Sequence, residues 1–147
     1  MERRSLEDLT AADRELIAAA EDARTRAYTP YSNHKVGAAV RSGSGTIYAA
    51  PNVEIVTLQQ TVHAERNAVN LMAAAGERVL EAVVCHGPYS GVPCAECRQA
   101  IWEFSGANPN VRVISAPVGG EIDVMTIGEI YPLPYGPETK GIDPRDH

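Results

Sequence analysis

Two short clusters constrain this chain more than anything else in it: Thr61-Val62-His63-Ala64-Glu65-Arg66-Asn67 and, further along, Pro93-Cys94-Ala95-Glu96-Cys97-Arg98-Gln99. Cys-x-x-Cys at a helix start puts two sulfurs on one side, where unpaired N–H groups and the positive end of the helix dipole favour thiolates. His63 adds a neutral imidazole. The resulting Cys₂His set with an open fourth position is the form of a catalytic zinc site, whereas a structural site is closed. His63 and Glu65 would face opposite sides in mid-helix, but at a helix N-terminus both can lean toward a metal ahead of the axis, so a helix is predicted to begin at His63. Zinc lowers the pKa of a bound water toward neutrality, and an unliganded carboxylate at Glu65 suits the proton transfer that follows. Cys94-Ala95-Glu96-Cys97 alone also fits a redox dithiol or half a zinc knuckle; His63 and Glu65 favour zinc. A closed structural site would need a fourth ligand, for which His86 is the candidate, although a loop position without a ligand role is expected for it.

At 147 residues the chain suits one domain, 1–147, with 1–10 and 138–147 as peripheral tails. No apolar run approaches the roughly 18 residues that span a bilayer. Met1-Glu2-Arg3-Arg4-Ser5-Leu6 lacks the apolar stretch of a secretory signal, so a cytoplasmic, soluble protein is expected. A formal charge of −6 and the lack of any basic cluster interleaved with aromatics argue for a small substrate over DNA or RNA. Three cysteines do not suit a disulfide framework; with Cys94 and Cys97 paired by spacing, Cys85 reads as a buried core thiol on a strand.

Taken in order, Leu16, Ile17, Ala20, Ala23 and Ala27 predict a helix over about 11–27, opened by a capping box at Thr10 and Asp13. Tyr28-Thr29-Pro30 breaks it. Val36–Val40 and Thr46–Ala50, joined by Ser42-Gly43-Ser44-Gly45, predict an antiparallel hairpin. After His63, Ala64, Ala68, Leu71, Met72 and Ala75 repeat at helical spacing until Gly76. A strand over 80–85 and a loop over 86–91 follow. A helix from Pro93 carries Ile101, Trp102 and Phe104, and a strand covers 111–115. Residues 124–131 read as a short turn or helix, and the prolines at 132, 134 and 137 are expected to forbid regular structure. The order α-β-β-α-β-α-β predicts a mixed α/β layered domain.

The clusters match the H-x-E…P-C-x-x-C pattern of zinc deaminases acting on nucleobases. Around them, Pro30-Tyr31-Ser32, Val36-Gly37-Ala38-Ala39, Asn52-Val53-Glu54, Ala64-Glu65-Arg66-Asn67-Ala68-Val69, Pro93-Cys94 with Cys97-Arg98-Gln99, and Thr126-Ile127-Gly128-Glu129 with Tyr135-Gly136-Pro137 stand in one register. In these residues the chain resembles the cytidine deaminase family, in its tetrameric, free-nucleoside branch that includes the blasticidin S deaminases. The resemblance implies a three-layer α/β/α fold with a mixed central sheet, one zinc per subunit on His63, Cys94 and Cys97, and Glu65 as proton shuttle. It also implies conversion of cytidine or deoxycytidine to the uridine form with release of ammonia, as in pyrimidine salvage. Asn52 and Glu54 match the pair that holds the ribose, with Ala64 beside the metal, and Tyr135 matches an aromatic residue that reaches into a neighbouring subunit of a homotetramer. His63 stands where small tetrameric members have a third cysteine. His34 replaces a phenylalanine that packs on the base, and Leu58-Gln59-Gln60 replaces Tyr-Gly-Leu. These departures alter the pocket wall and keep open a modified or antibiotic cytosine nucleoside, or another aminated heterocycle, as substrate. A tRNA-editing deaminase and a non-catalytic zinc-stabilised binding protein are the weaker alternatives.

Overall fold

A computed structural model describes residues 1–89 and 91–147. Ser90, counted above in the loop over 86–91, lies outside the described residues. The elements are β1 (Glu2–Arg4), α1 (Ala11–Thr25), β2 (Gly37–Ser42), β3 (Ile47–Pro51), α2 (Ala64–Ala74), β4 (Leu80–His86), α3 (Ala95–Glu103), β5 (Arg112–Ser115), β6 (Ile122–Thr126) and the single turn α4 (Ile127–Ile130). The strands form one mixed sheet in the order β1-β6-β5-β4-β2-β3. β4 and β5, joined through α3, are parallel, and the other pairs are antiparallel.

Strand side chains alternate between two cores, which makes the domain three-layered. Ala38, Val40, Val83 and Val113 pack with Ala68, Val69 and Met72 of α2 and Ile101 and Trp102 of α3. Ala39, Ala82, Val84 and Ile114 point the other way, against Leu16, Ile17 and Ala20 of α1. The expected α/β/α fold with a mixed sheet is the one observed. Helix α1 opens on the expected capping box, with Thr10 Oγ1 accepting from the Asp13 backbone N–H at 3.1 Å.

Four local expectations change. Residues 124–131 divide into the end of strand β6 and the turn α4. Strand β6 was obscured because it places Asp123 in a strand, a residue type unfavourable there unless paired; Arg3 Nε donates to its carboxylate at 3.3 Å. His86, expected in a loop, is the last residue of β4, buried and paired with Gly37. The proline-rich tail holds a 3₁₀ turn, Pro137–Lys140, because proline in a first turn lacks only an N–H that would be unpaired anyway. Glu2–Arg4, which carry no strand pattern, pair with β6.

Candidate metal and active site

Both ligand clusters sit at helix starts. His63 is the N-cap of α2 and Cys94 the N-cap of α3, each extended in backbone, so the side chain projects ahead of the helix. Neither caps its own helix with its side chain. Glu65 follows in the first turn of α2, and Cys97 in the first turn of α3. His63 Nδ1 stands 3.2 Å from Cys94 Sγ and 3.6 Å from Cys97 Sγ, and the two sulfurs are 3.5 Å apart. Tetrahedral zinc with ordinary Zn–S and Zn–N bonds has ligand–ligand edges of about 3.5–3.8 Å; two of the separations fall in that range and the His63–Cys94 one is a few tenths of an ångström shorter. Among the described residues these three form the one such donor group, with all ligand atoms within 4.8 Å of one another. His86 is not part of it, which leaves the fourth position without a protein ligand.

The Cys97 thiol is costly to ionise in this setting. Burial first, and then the charge of Glu65, hold the Cys97 thiol well above its ordinary value, while the Arg66 backbone N–H pulls the other way. A divalent cation among the donors offsets that cost and lets the thiolate form. Arg66 itself pairs with Glu96, linking the first turns of α2 and α3.

The donors open onto a cavity of about 350 Å³. Of the residues named from the sequence, His34, Asn52, Glu54, His63, Ala64, Glu65 and Cys94 line it. Cys97 lies buried behind, with its sulfur 3.6 Å from Glu65 Oε2. Tyr135 lies elsewhere: its side chain is exposed and Lys140 Nζ sits 5.9 Å from its ring centroid. Asn52 and Glu54 brace the loop between α1 and β2. Asn52 Nδ2 donates to the His34 carbonyl at 2.8 Å and Oδ1 accepts from the Val36 N–H at 3.0 Å. The Glu54 carboxylate accepts from the Tyr31 N–H at 2.9 Å, the Ser32 N–H at 3.2 Å and the Ser32 hydroxyl.

Several site residues escaped the sequence. Tyr89 stacks on His34 with centroids 5.8 Å apart and planes 25° from parallel, at the cavity wall. Cys85, expected in the core, lines the cavity as well. The signal for Cys85 was strand alternation, since it falls two residues after the inward Val83; nothing local to Tyr89 marks it. The residues that follow Cys97 have a bracing role. Arg98 donates to the Pro93 carbonyl at 2.6 Å and the Ile130 carbonyl at 2.8 Å, and Gln99 Nε2 donates to the Tyr135 carbonyl at 2.7 Å.

Comparison with known proteins places this geometry. The family described as the cytidine and deoxycytidylate deaminase zinc-binding region matches residues 10–112. A cytidine deaminase of Sporosarcina psychrophila is 36% identical over 127 residues, covering 84% of this chain and 90% of that protein. The crystal structure of cytidine deaminase from Burkholderia pseudomallei is similar with a TM-score of 0.79 at 34% identity, covering 86% of this chain and all 100% of that one. The Mycobacterium leprae cytidine deaminase structure gives a TM-score of 0.72 at 31% identity, over 84% of this chain and 99% of that one.

Proposed function

The chain belongs to the cytidine and deoxycytidylate deaminase family, whose zinc-binding region it carries, and from that premise we propose that it deaminates cytidine or deoxycytidine. Water and the nucleoside give uridine or deoxyuridine and ammonia. The observation that carries this reading is the meeting of three metal donors, two of them lining one cavity and Cys97 just behind it, with a buried carboxylate, Glu65, that lies outside the donor group. His63, Cys94 and Cys97 would hold the zinc, which would supply an activated water of near-neutral pKa. Proton handling falls to Glu65, whose carboxylate accepts a proton and delivers it toward the departing amine, so that the leaving group is neutral ammonia.

The wall supports a neutral nucleoside. No lysine or arginine is among the described residues lining the cavity, while Glu54 and Glu65 both are, an unfavourable setting for a phosphate. Glu54 has acceptor capacity left for a ribose hydroxyl after its three bonds, and Asn52 has a second lone pair on Oδ1. Ala64 gives the ring close access to the metal. The same lack of basic lining disfavours the tRNA-editing reading, and Glu65 has no use in a non-catalytic zinc-stabilised protein. The His34–Tyr89 stack motivates a second reading, a modified or antibiotic cytosine nucleoside. We further take the enzyme to be a cytoplasmic homotetramer, with Tyr135 completing a neighbour's pocket; its exposure and that of Leu133 support this.

Ammonia release by the zinc-loaded protein tests the reading across a panel of nucleosides, bases and deoxycytidylate. Cytidine and deoxycytidine are expected to react and deoxycytidylate to fail. Release from adenosine or guanine, and none from cytidine, would overturn it. Glu65→Gln is expected to lose roughly 10²–10⁴-fold in kcat while keeping its zinc and its Tm; full turnover in that variant would remove the proposed shuttle.

A further inference from the structure

We propose that Tyr89 is a specificity-determining residue: stacked on His34, its ring ends the cavity on the side of Asn52 and Glu54 and excludes cytosine nucleosides that carry a bulky group on the sugar. The inference rests on the reading of the cavity as a cytidine site with Asn52 and Glu54 toward the ribose. It leaves the second reading only modifications placed elsewhere on the nucleoside.

The ring of Tyr89 has no packing role in the fold, since the residue is 76% exposed and belongs to neither core. Its loop is nonetheless tied on both sides of it. The Val118 N–H donates to the Gly87 carbonyl at 2.9 Å, and the Gly91 N–H donates to Ser115 Oγ at 3.0 Å. His34, on the facing loop, is fixed by the residues proposed for the ribose. Its N–H donates at 3.0 Å to Ser32 Oγ, whose hydroxyl in turn donates to Glu54, and its carbonyl accepts from Asn52 Nδ2 at 2.8 Å. Two backbones held in this way set the rings over each other at the ribose end of the cavity.

The ring spacing decides how the pair meets a ligand. A flat base held between two rings needs van der Waals distance on each of its faces, about 7–8 Å in all. The centroids are 5.8 Å apart, so no base enters between them and the pair acts as one wall. Beyond the wall lies a second cavity of about 330 Å³, whose lining includes Pro117, Val118 and Gly120; Pro88 and Tyr89 line both cavities. The cavity at the metal donors, about 350 Å³, is near the lower end of the range of about 300–1,000 Å³ for small-molecule sites. A benzyl-sized group on the sugar therefore needs the space beyond, and the Tyr89 ring stands in its way.

Calorimetry on the zinc-loaded Glu65→Gln protein, chosen to hold ligand without turning it over, compares cytidine with its 3′-O-benzyl and 5′-O-benzyl ethers. Both ethers are expected to bind about tenfold or more weakly than cytidine. Adding Tyr89→Ala is expected to improve at least one ether relative to cytidine by about tenfold, the scale of discrimination that a hydrophobic wall provides. Tyr89→Phe in its place is expected to restore the original ratio, because the ring and not the hydroxyl forms the wall. His34→Ala is expected to relax the ratio in the same direction, and to add little once Tyr89→Ala is present, since the two rings act as a unit. Cytidine binding with a ratio unmoved by Tyr89→Ala, or moved equally by Tyr89→Phe, would overturn this inference alone. Absence of cytidine binding would overturn the nucleoside reading and this inference with it.

Discussion

Glu54 is 5% exposed, yet it stays ionised because the Ser32 hydroxyl, outweighing the cost of burial, and then the Tyr31 and Ser32 backbone N–H groups hold its pKa below the ordinary carboxylate value. The sign of the linkage follows. A carboxylate whose pKa is depressed in the folded state contributes stability that is complete above its unfolded pKa, about 4.3, and is lost as the pH falls through the folded value. Tm measured from neutral pH downward is therefore expected to fall less steeply below about pH 4.3 in Glu54→Gln than in the wild type. Parallel curves would show that Glu54 has the same pKa folded and unfolded. At this scale the sequence marked the donor group that the structure brings together. His63, Cys94 and Cys97 were identifiable because metal ligation restricts residue type and spacing together. Tyr89 was not, because stacking on His34 depends on two loops meeting across the cavity, and neither loop's sequence records the other.

At the scale of elements, Gly37 fixes how close α1 comes to the sheet. A Cβ there would strike the backbone of Ala20 and Arg24, atoms that cannot swing aside as a side-chain end can. Gly37→Ala is expected to destabilise the fold by about 1–3 kcal/mol through overpacking, read as a lower urea midpoint at unchanged m-value. An unchanged midpoint would mean that α1 shifts without cost. The helix starts were legible to within two residues because capping residues and ligands coincide with them. Strands β1 and β6 were not. Glu2–Arg4 forms a strand only because the edge of β6 is there to receive it, with Glu2 opposite Val124 and Arg4 opposite Ile122.

For the whole molecule, Tyr135 does not line its own chain's pocket, and the proposed homotetramer would make the cavity a shared structure. Light scattering is expected to give a molar mass about four times that of the 15.8 kDa chain. Tyr135→Ala is expected to raise KM for cytidine several-fold at unchanged molar mass. A monomer that turned over at the wild-type rate would rule out the shared pocket.

The sequence by itself determined the ligand set, the unliganded carboxylate, the helix starts that aim them and the layered α/β class, because each rests on residue type at short spacing. Tertiary structure alone decided what surrounds that centre. Parallel pairing of β4 with β5 and the packing of α2 on α3 bring the two N-termini to one point, and the fold sets Cys85, an expected core thiol, in the wall of the cavity that Glu65 also lines. Contacts between segments far apart in the chain follow from burial of the whole, which no local pattern encodes.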